Sequence, residues 1–227
     1  MNHQRMRWIS LLVAVILPTL ALLGCSFLPF APTPPQPNVM VYDAPVALTI
    51  KKDNLLPGTT IAYGGKLPTG SAKVMIAGLA APKQVADTLD WQGTPVPNIA
   101  VKLTTRVVSF DDQALNLAGT AHIEIQGVTV QPGGSPGNAQ MEFSAPVTFS
   151  LAKSGGIPGS NILYDGAAPE GAKFLGIEGY PYRKTLDSLQ YNGRLAPKVF
   201  LRLDLRVISF SDTGAAVGGT ANIIVEQ

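Results

Sequence analysis

The chain has 227 residues, with 15 acidic and 17 basic side chains, and its formal charge of +2 is that of Arg5 and Arg7 alone. Without those two, acids and bases balance, which argues against a nucleic-acid partner, since that would need a basic face to displace counterions from phosphates. Only 14% of residues are charged, Gly and Pro number 23 and 19, and cysteine occurs once. This composition excludes charged helical heptads and any intrachain disulfide and reads as a turn-rich β protein.

Arg5 and Arg7 precede Trp8–Leu23, an uncharged, mostly apolar run of 16 residues interrupted by Pro18. It is shorter than the roughly 20 apolar residues that cross a bilayer core. Leu22-Leu23-Gly24-Cys25 closes the run and holds the single cysteine. This layout resembles the lipobox signal peptide of bacterial lipoprotein precursors. The resemblance covers residues 1–25 only. It implies removal of residues 1–24 and a lipid, with palmitate-type acyl chains, on Cys25. The protein would then be anchored to a cell membrane and face the extracytoplasmic side. Acylation would also block a thiol that is otherwise exposed to an oxidising compartment. Ser26, rather than Asp, follows the cysteine; in a two-membrane organism the resemblance then points to the outer membrane. Residues 25–38, with Pro29, Pro32, Pro34, Pro35 and Pro37, read as a polyproline-type tether from the lipidated cysteine.

Beyond the tether the chain repeats itself. Residues 39–126 align with 140–227, first at an offset of 101 and then of 100. Leu56-Pro57-Gly58-Thr59-Thr60-Ile61 answers Ile157-Pro158-Gly159-Ser160-Asn161-Ile162. Arg106-Val107-Val108-Ser109-Phe110 answers Arg206-Val207-Ile208-Ser209-Phe210. Each copy is neutral, with seven residues of each sign in the first and eight in the second. A repeat of this length is a domain-sized unit. Gly127–Ala139, uncharged and rich in Gly and Pro, reads as the linker between two domains, each expected to fold by itself.

Within a copy the apolar period is two. Val46, Leu48 and Ile50 alternate with Ala47, Thr49 and Lys51. Pro57-Gly58 turns the chain into Thr59–Tyr63, and Pro68 and Gly70 turn it into Ala72–Ala77. Leu89 and Trp91, like Leu189 and Tyr191, start a short strand that Gly93 or Gly193 is expected to end. Residual helical character is expected only around Pro82–Leu89 and Pro181–Leu189. Leu201, Leu203, Leu205 and Val207 form one face of the longest strand, opposite Arg202, Asp204 and Arg206. The last strand turns Leu117, Ala121, Ile123 and Ile125 inward. The fold class predicted is all-β: two tandem antiparallel β-sandwich-like, or small open-barrel, domains from an internal duplication.

The residues offer little catalytic chemistry. His122 is the single histidine after the signal, its counterpart is Asn222, and it lies on an outward face. No Gly-x-Ser-x-Gly elbow is present, and His and Cys ligands are too few for a zinc site. Asp111 and Asp112 lie in a tight turn, where Asp usually bonds the local backbone. Lys102, Arg106, Arg202 and Arg206 are expected to pair with cross-strand acids. No catalytic residue, metal or cofactor is therefore assigned. Tyr180-Pro181-Tyr182-Arg183-Lys184, aligned with Leu79-Ala80-Ala81-Pro82-Lys83, brings tyrosines and a basic pair to one loop of the second copy. Tyr180, Tyr182 and Arg183 are the candidate binding residues, since loop tyrosines make adaptable contacts. The alternative is that these aromatics cover the end of the core.

The functional expectation is a lipid-anchored envelope protein that binds or scaffolds an envelope protein or glycan without catalysis. A rival is an assembly or chaperone-like lipoprotein that pairs a sheet edge with a client strand. An acid-only hydrolase is the remaining alternative.

Overall fold

Period-two alternation becomes strand through nearly the whole of both copies. The computed structural model describes residues 38–226, and among these there is no helix. The first copy supplies β1 (Val39–Lys51), β2 (Asn54–Leu55), β3 (Ile61–Lys66), β4 (Ala72–Ile76), β5 (Leu79–Lys83), β6 (Trp91–Val96), β7 (Ile99–Phe110) and β8 (Ala114–Gln126). A short strand of the linker is β9 (Gln131–Pro132). The second copy supplies β10 (Ala139–Ala152), β11 (Leu163–Ala168), β12 (Gly171–Leu175), β13 (Tyr182–Arg183), β14 (Ser188–Ala196), β15 (Val199–Ser211) and β16 (Gly214–Glu226).

Long strands form one sheet in each copy and short strands another. The orders are β1-β8-β7-β6 with β2-β3-β4-β5, and β10-β16-β15-β14-β9 with β11-β12-β13. Pairing between these strands is antiparallel, and no sheet closes on itself. The architecture is all-β and β-sandwich-like, with no closed barrel among the described residues.

Burial follows the alternation. On β15, Leu201, Leu203, Leu205 and Val207 are buried while Arg202, Asp204 and Arg206 stay exposed. Each such aliphatic removes enough apolar surface to contribute about 1.5–3 kcal/mol. Tyr63 and Tyr164 occupy equivalent core positions and are fully buried. Their hydroxyls donate to the carbonyls of Asp111 and Ser211, tying the short-strand sheet to the C-terminal ends of β7 and β15.

Three local expectations are corrected. Gly93 and Gly193 do not end their strands, which run on to Val96 and Ala196. Instead the rings of Trp91 and Tyr191 lie over them: a Cβ at Gly93 would sit 2.4 Å from Trp91 Cζ2. The stretches around Pro82–Leu89 and Pro181–Leu189 hold turns rather than helix. Asp87 and Asp187 accept the N–H of Gln84 and Lys184, each at 2.7 Å, and Ala86 and Leu186 take positive φ values of 73° and 71°. Arg106 and Arg206 do not pair with cross-strand acids. They donate to the carbonyls of Ala86 and Leu186, at 3.1 and 2.9 Å, and so hold these left-handed turns.

The two copies pack against each other. Residues of both belong to one continuous set of buried side chains, and the described residues fall in one compact unit. The contact is pseudo-symmetric. A Cβ at Gly58, in the first copy's Pro-Gly turn, would meet Met141 Sδ at 2.5 Å, and one at Gly159 would meet Met40 Cε at 2.8 Å. Each turn glycine thus receives a methionine from the other copy.

The linker is built into the second sheet. Val128 donates to the Asn38 carbonyl at 3.0 Å and Thr129 to that of Leu195 at 2.8 Å. Gln131 and Pro132 are registered opposite Arg194 and Gly193, and Val128 and Val130 pack on the core.

Candidate functional site

Antiparallel register fixes where the candidate tyrosines belong. Lys73 is opposite Pro82 and Ala72 opposite Lys83, while Lys173 is opposite Tyr182 and Ala172 opposite Arg183. Tyr180 therefore answers Ala80, Tyr182 answers Pro82 and Arg183 answers Lys83, one residue displaced from the alignment read along the sequence. The displacement arises because the segment between Tyr164 and Ala172 is one residue shorter than that between the equivalent Tyr63 and Ala72.

The structure brings Tyr180, Tyr182 and Arg183 together at the start of β13. The two rings are tilted at 56° with centroids 5.4 Å apart. Tyr180 is 62% exposed and Tyr182 half-buried, so neither belongs to the buried core. Arg183 is turned inward on its own loop. Its Nε donates to the Ser188 carbonyl at 3.0 Å, and Nη1 to that of Tyr182 at 3.0 Å and to that of Tyr180. Backbone support comes from Phe174, whose N–H donates to the Pro181 carbonyl at 2.9 Å. A guanidinium that gathers three carbonyls fixes the loop on which both tyrosines ride.

Beside Tyr182, Lys173 and Asp165 form an ion pair of 2.9 Å on the open face. Their hydrogen bond holds the Asp165 carboxyl below its ordinary range and lifts the Lys173 ammonium above its own. Exposed pairs of this kind stabilise little. Two hollows flank Arg183. One is bordered by Glu170, Tyr180, Lys184 and Asp187. The other, of about 810 Å³, lies between the linker at Pro132–Ser135 and Asn161, Glu178, Gln190 and Asn192. The linker's share in this wall was not visible in the sequence, although the alternation of Val128 and Val130 with polar neighbours signals a packed segment.

The remaining reactive side chains stay apart. His122 Nδ1 lies 2.8 Å from Asp43 Oδ1 on the exposed face of the β1–β8 pair, and Ser144 and Asn222 make the equivalent contact at 2.6 Å. Asp111 accepts the N–H of Gln113 at 2.7 Å and of Ala114 at 2.9 Å, the local bonding expected of a turn aspartate. These bonds lower its pKa. Among the described residues no three His, Cys, Asp or Glu side chains gather as a metal-ligand set, and no helix is long and apolar enough to cross a membrane. Cys25 lies outside the described residues. Comparison with protein-family models, with curated proteins and with solved structures gave no match.

Proposed function

We propose that this chain is a membrane-anchored extracytoplasmic lipoprotein that acts by binding, without catalysis, through the Tyr180–Tyr182 surface of its second copy. Anchoring rests on the lipobox resemblance at Cys25, which places its partners in the cell envelope, as protein or glycan. The observation that carries the binding reading is the exposure of Tyr180 on a loop pinned by Arg183. An aromatic held outward on a fixed backbone loses little conformational freedom when a partner covers it, so more of the contact energy remains as affinity. Its partner residue Tyr182 supplies a second ring at stacking distance. Arg183 is a positioning residue in this reading rather than a contact.

The test is crosslinking of the intact lipoprotein in its own membranes, with the wild type beside the Tyr180→Ala/Tyr182→Ala double variant. Recovery of the native partner is expected to fall about tenfold or more, the worth of a hot-spot aromatic, with an unchanged circular-dichroism spectrum. Unchanged recovery would remove this surface from the reading. Turnover of any substrate that a single carboxylate substitution abolished would overturn the non-catalytic part.

A further inference from the structure

We infer that the outer edge of β6 is a docking site for an extended peptide segment of a partner protein, which joins the first copy's long sheet as an additional antiparallel strand. The second copy carries the precedent. There β14 stands where β6 stands in the first: Asn192 is opposite Arg202 as Gln92 is opposite Lys102, and Gly193 is opposite Leu201 as Gly93 is opposite Val101. The outer edge of β14 is taken by an extended piece of the linker. Gly133 donates its N–H to the Asn192 carbonyl at 2.9 Å, Thr129 donates to that of Leu195 at 2.8 Å, and Pro132 and Gln131 are in register with Gly193 and Arg194. The corresponding carbonyls of the first copy belong to Gln92 and Pro95. Among the described residues no strand lies beyond β6, so one sheet ends at four strands where its twin has five.

The same comparison specifies the occupant. At the second copy's edge Arg194 clamps the side-chain oxygen of Gln131, with Nε at 3.1 Å. Thr94 takes that place in β6, so the edge presents exposed, uncharged Gln92 and Thr94 and selects little by charge. Recognition then falls to the backbone, as in strand addition generally. Pro95 offers a carbonyl but no N–H, which keeps the pairing short and stops the edge from propagating sheet. The fitting segment is neutral and extended. It tolerates a residue without an N–H opposite Gly93, as Pro132 is tolerated opposite Gly193, and it places a small residue next, as Gly133 is placed.

This site is separate from the Tyr180–Tyr182 surface, and either can fail without the other. The probe is a synthetic peptide with the sequence of residues 128–135, Val-Thr-Val-Gln-Pro-Gly-Gly-Ser, added to the full chain in detergent micelles and followed by amide chemical shifts. Saturable shifts centred on Gln92, Gly93 and Thr94 are expected. The same peptide N-methylated at its first glycine lacks the donor for the Gln92 carbonyl and is expected to bind about tenfold more weakly, with the protein unaltered. Absence of saturable shifts on β6, equal binding of the methylated peptide, or shifts confined to β14 where the peptide would exchange with β9, would each overturn the inference.

Discussion

Tyr63 and Tyr42 are both buried phenols that differ in what their hydroxyls meet. Tyr63 reaches the Asp111 carbonyl, whereas the Tyr42 hydroxyl has no partner among the described residues. Burial pushes up the pKa of both groups, and for Tyr63 the carboxylates of Asp111 and Asp112 add to the effect. A net hydrogen bond contributes about 0.5–1.5 kcal/mol, and a buried polar atom left unpaired costs about 1–3 kcal/mol. Tyr63→Phe is therefore expected to destabilise by about 1 kcal/mol in urea unfolding. Tyr42→Phe should be neutral or stabilising by up to about 1 kcal/mol, as the second copy already has Phe143 there. Asp111 governs an acid-range effect. Its folded pKa is depressed by the N–H groups of Gln113 and Ala114, so the stability it gives is present above its unfolded value of about 3.9 and is lost as pH falls through the folded value. Asp111→Asn should flatten the acid limb of a melting-temperature profile below about pH 4, and an unchanged limb would count against this account.

At the scale of elements, period-two alternation was readable because each strand turns one face to a core that excludes water. Leu201 to Val207 announced themselves in this way, as did Val46 to Ile50. What was not readable depends on partners distant in sequence. The one-residue displacement of Tyr180 against Ala80 is set by register across β12–β13, and the tyrosines' own neighbours carry no trace of it. Arg106 and Arg206 looked like cross-strand ion-pair partners because their reach to Ala86 and Leu186 depends on turns with positive φ. Close strand approach is likewise hidden until pairing is known. A Cβ at Gly219 would lie 2.1 Å from the Asp204 carbonyl oxygen, so backbone must shift, whereas at Gly159 the crowding atoms are ends of Met40 and Leu201 side chains. Gly219→Ala is expected to cost about 3 kcal/mol or more, at the upper end of overpacking. Gly159→Ala should cost about 1–2 kcal/mol, chiefly for its left-handed backbone. Chemical denaturation of both variants checks the order.

For the whole molecule, the duplication was evident in the sequence but the packing of its halves was not, since reciprocal contacts such as Met40 with Gly159 and Met141 with Gly58 join residues about a hundred positions apart. Residues 140–227 expressed alone would expose Met141 and lose the linker from the edge of β14. That fragment is expected to unfold at lower urea concentration than the same residues within the full chain, and equal midpoints would mean that the copies contribute nothing to each other. The functional account depends on where this unit is held, which returns to Cys25. Growth with an alkyne-tagged palmitate, followed by mass analysis of the purified protein, tests that directly. The wild type should begin at an acyl-labelled Cys25, and Cys25→Ser should remain an unlabelled, unprocessed precursor. Cleavage with release of an unlabelled soluble protein in the wild type would contradict the account.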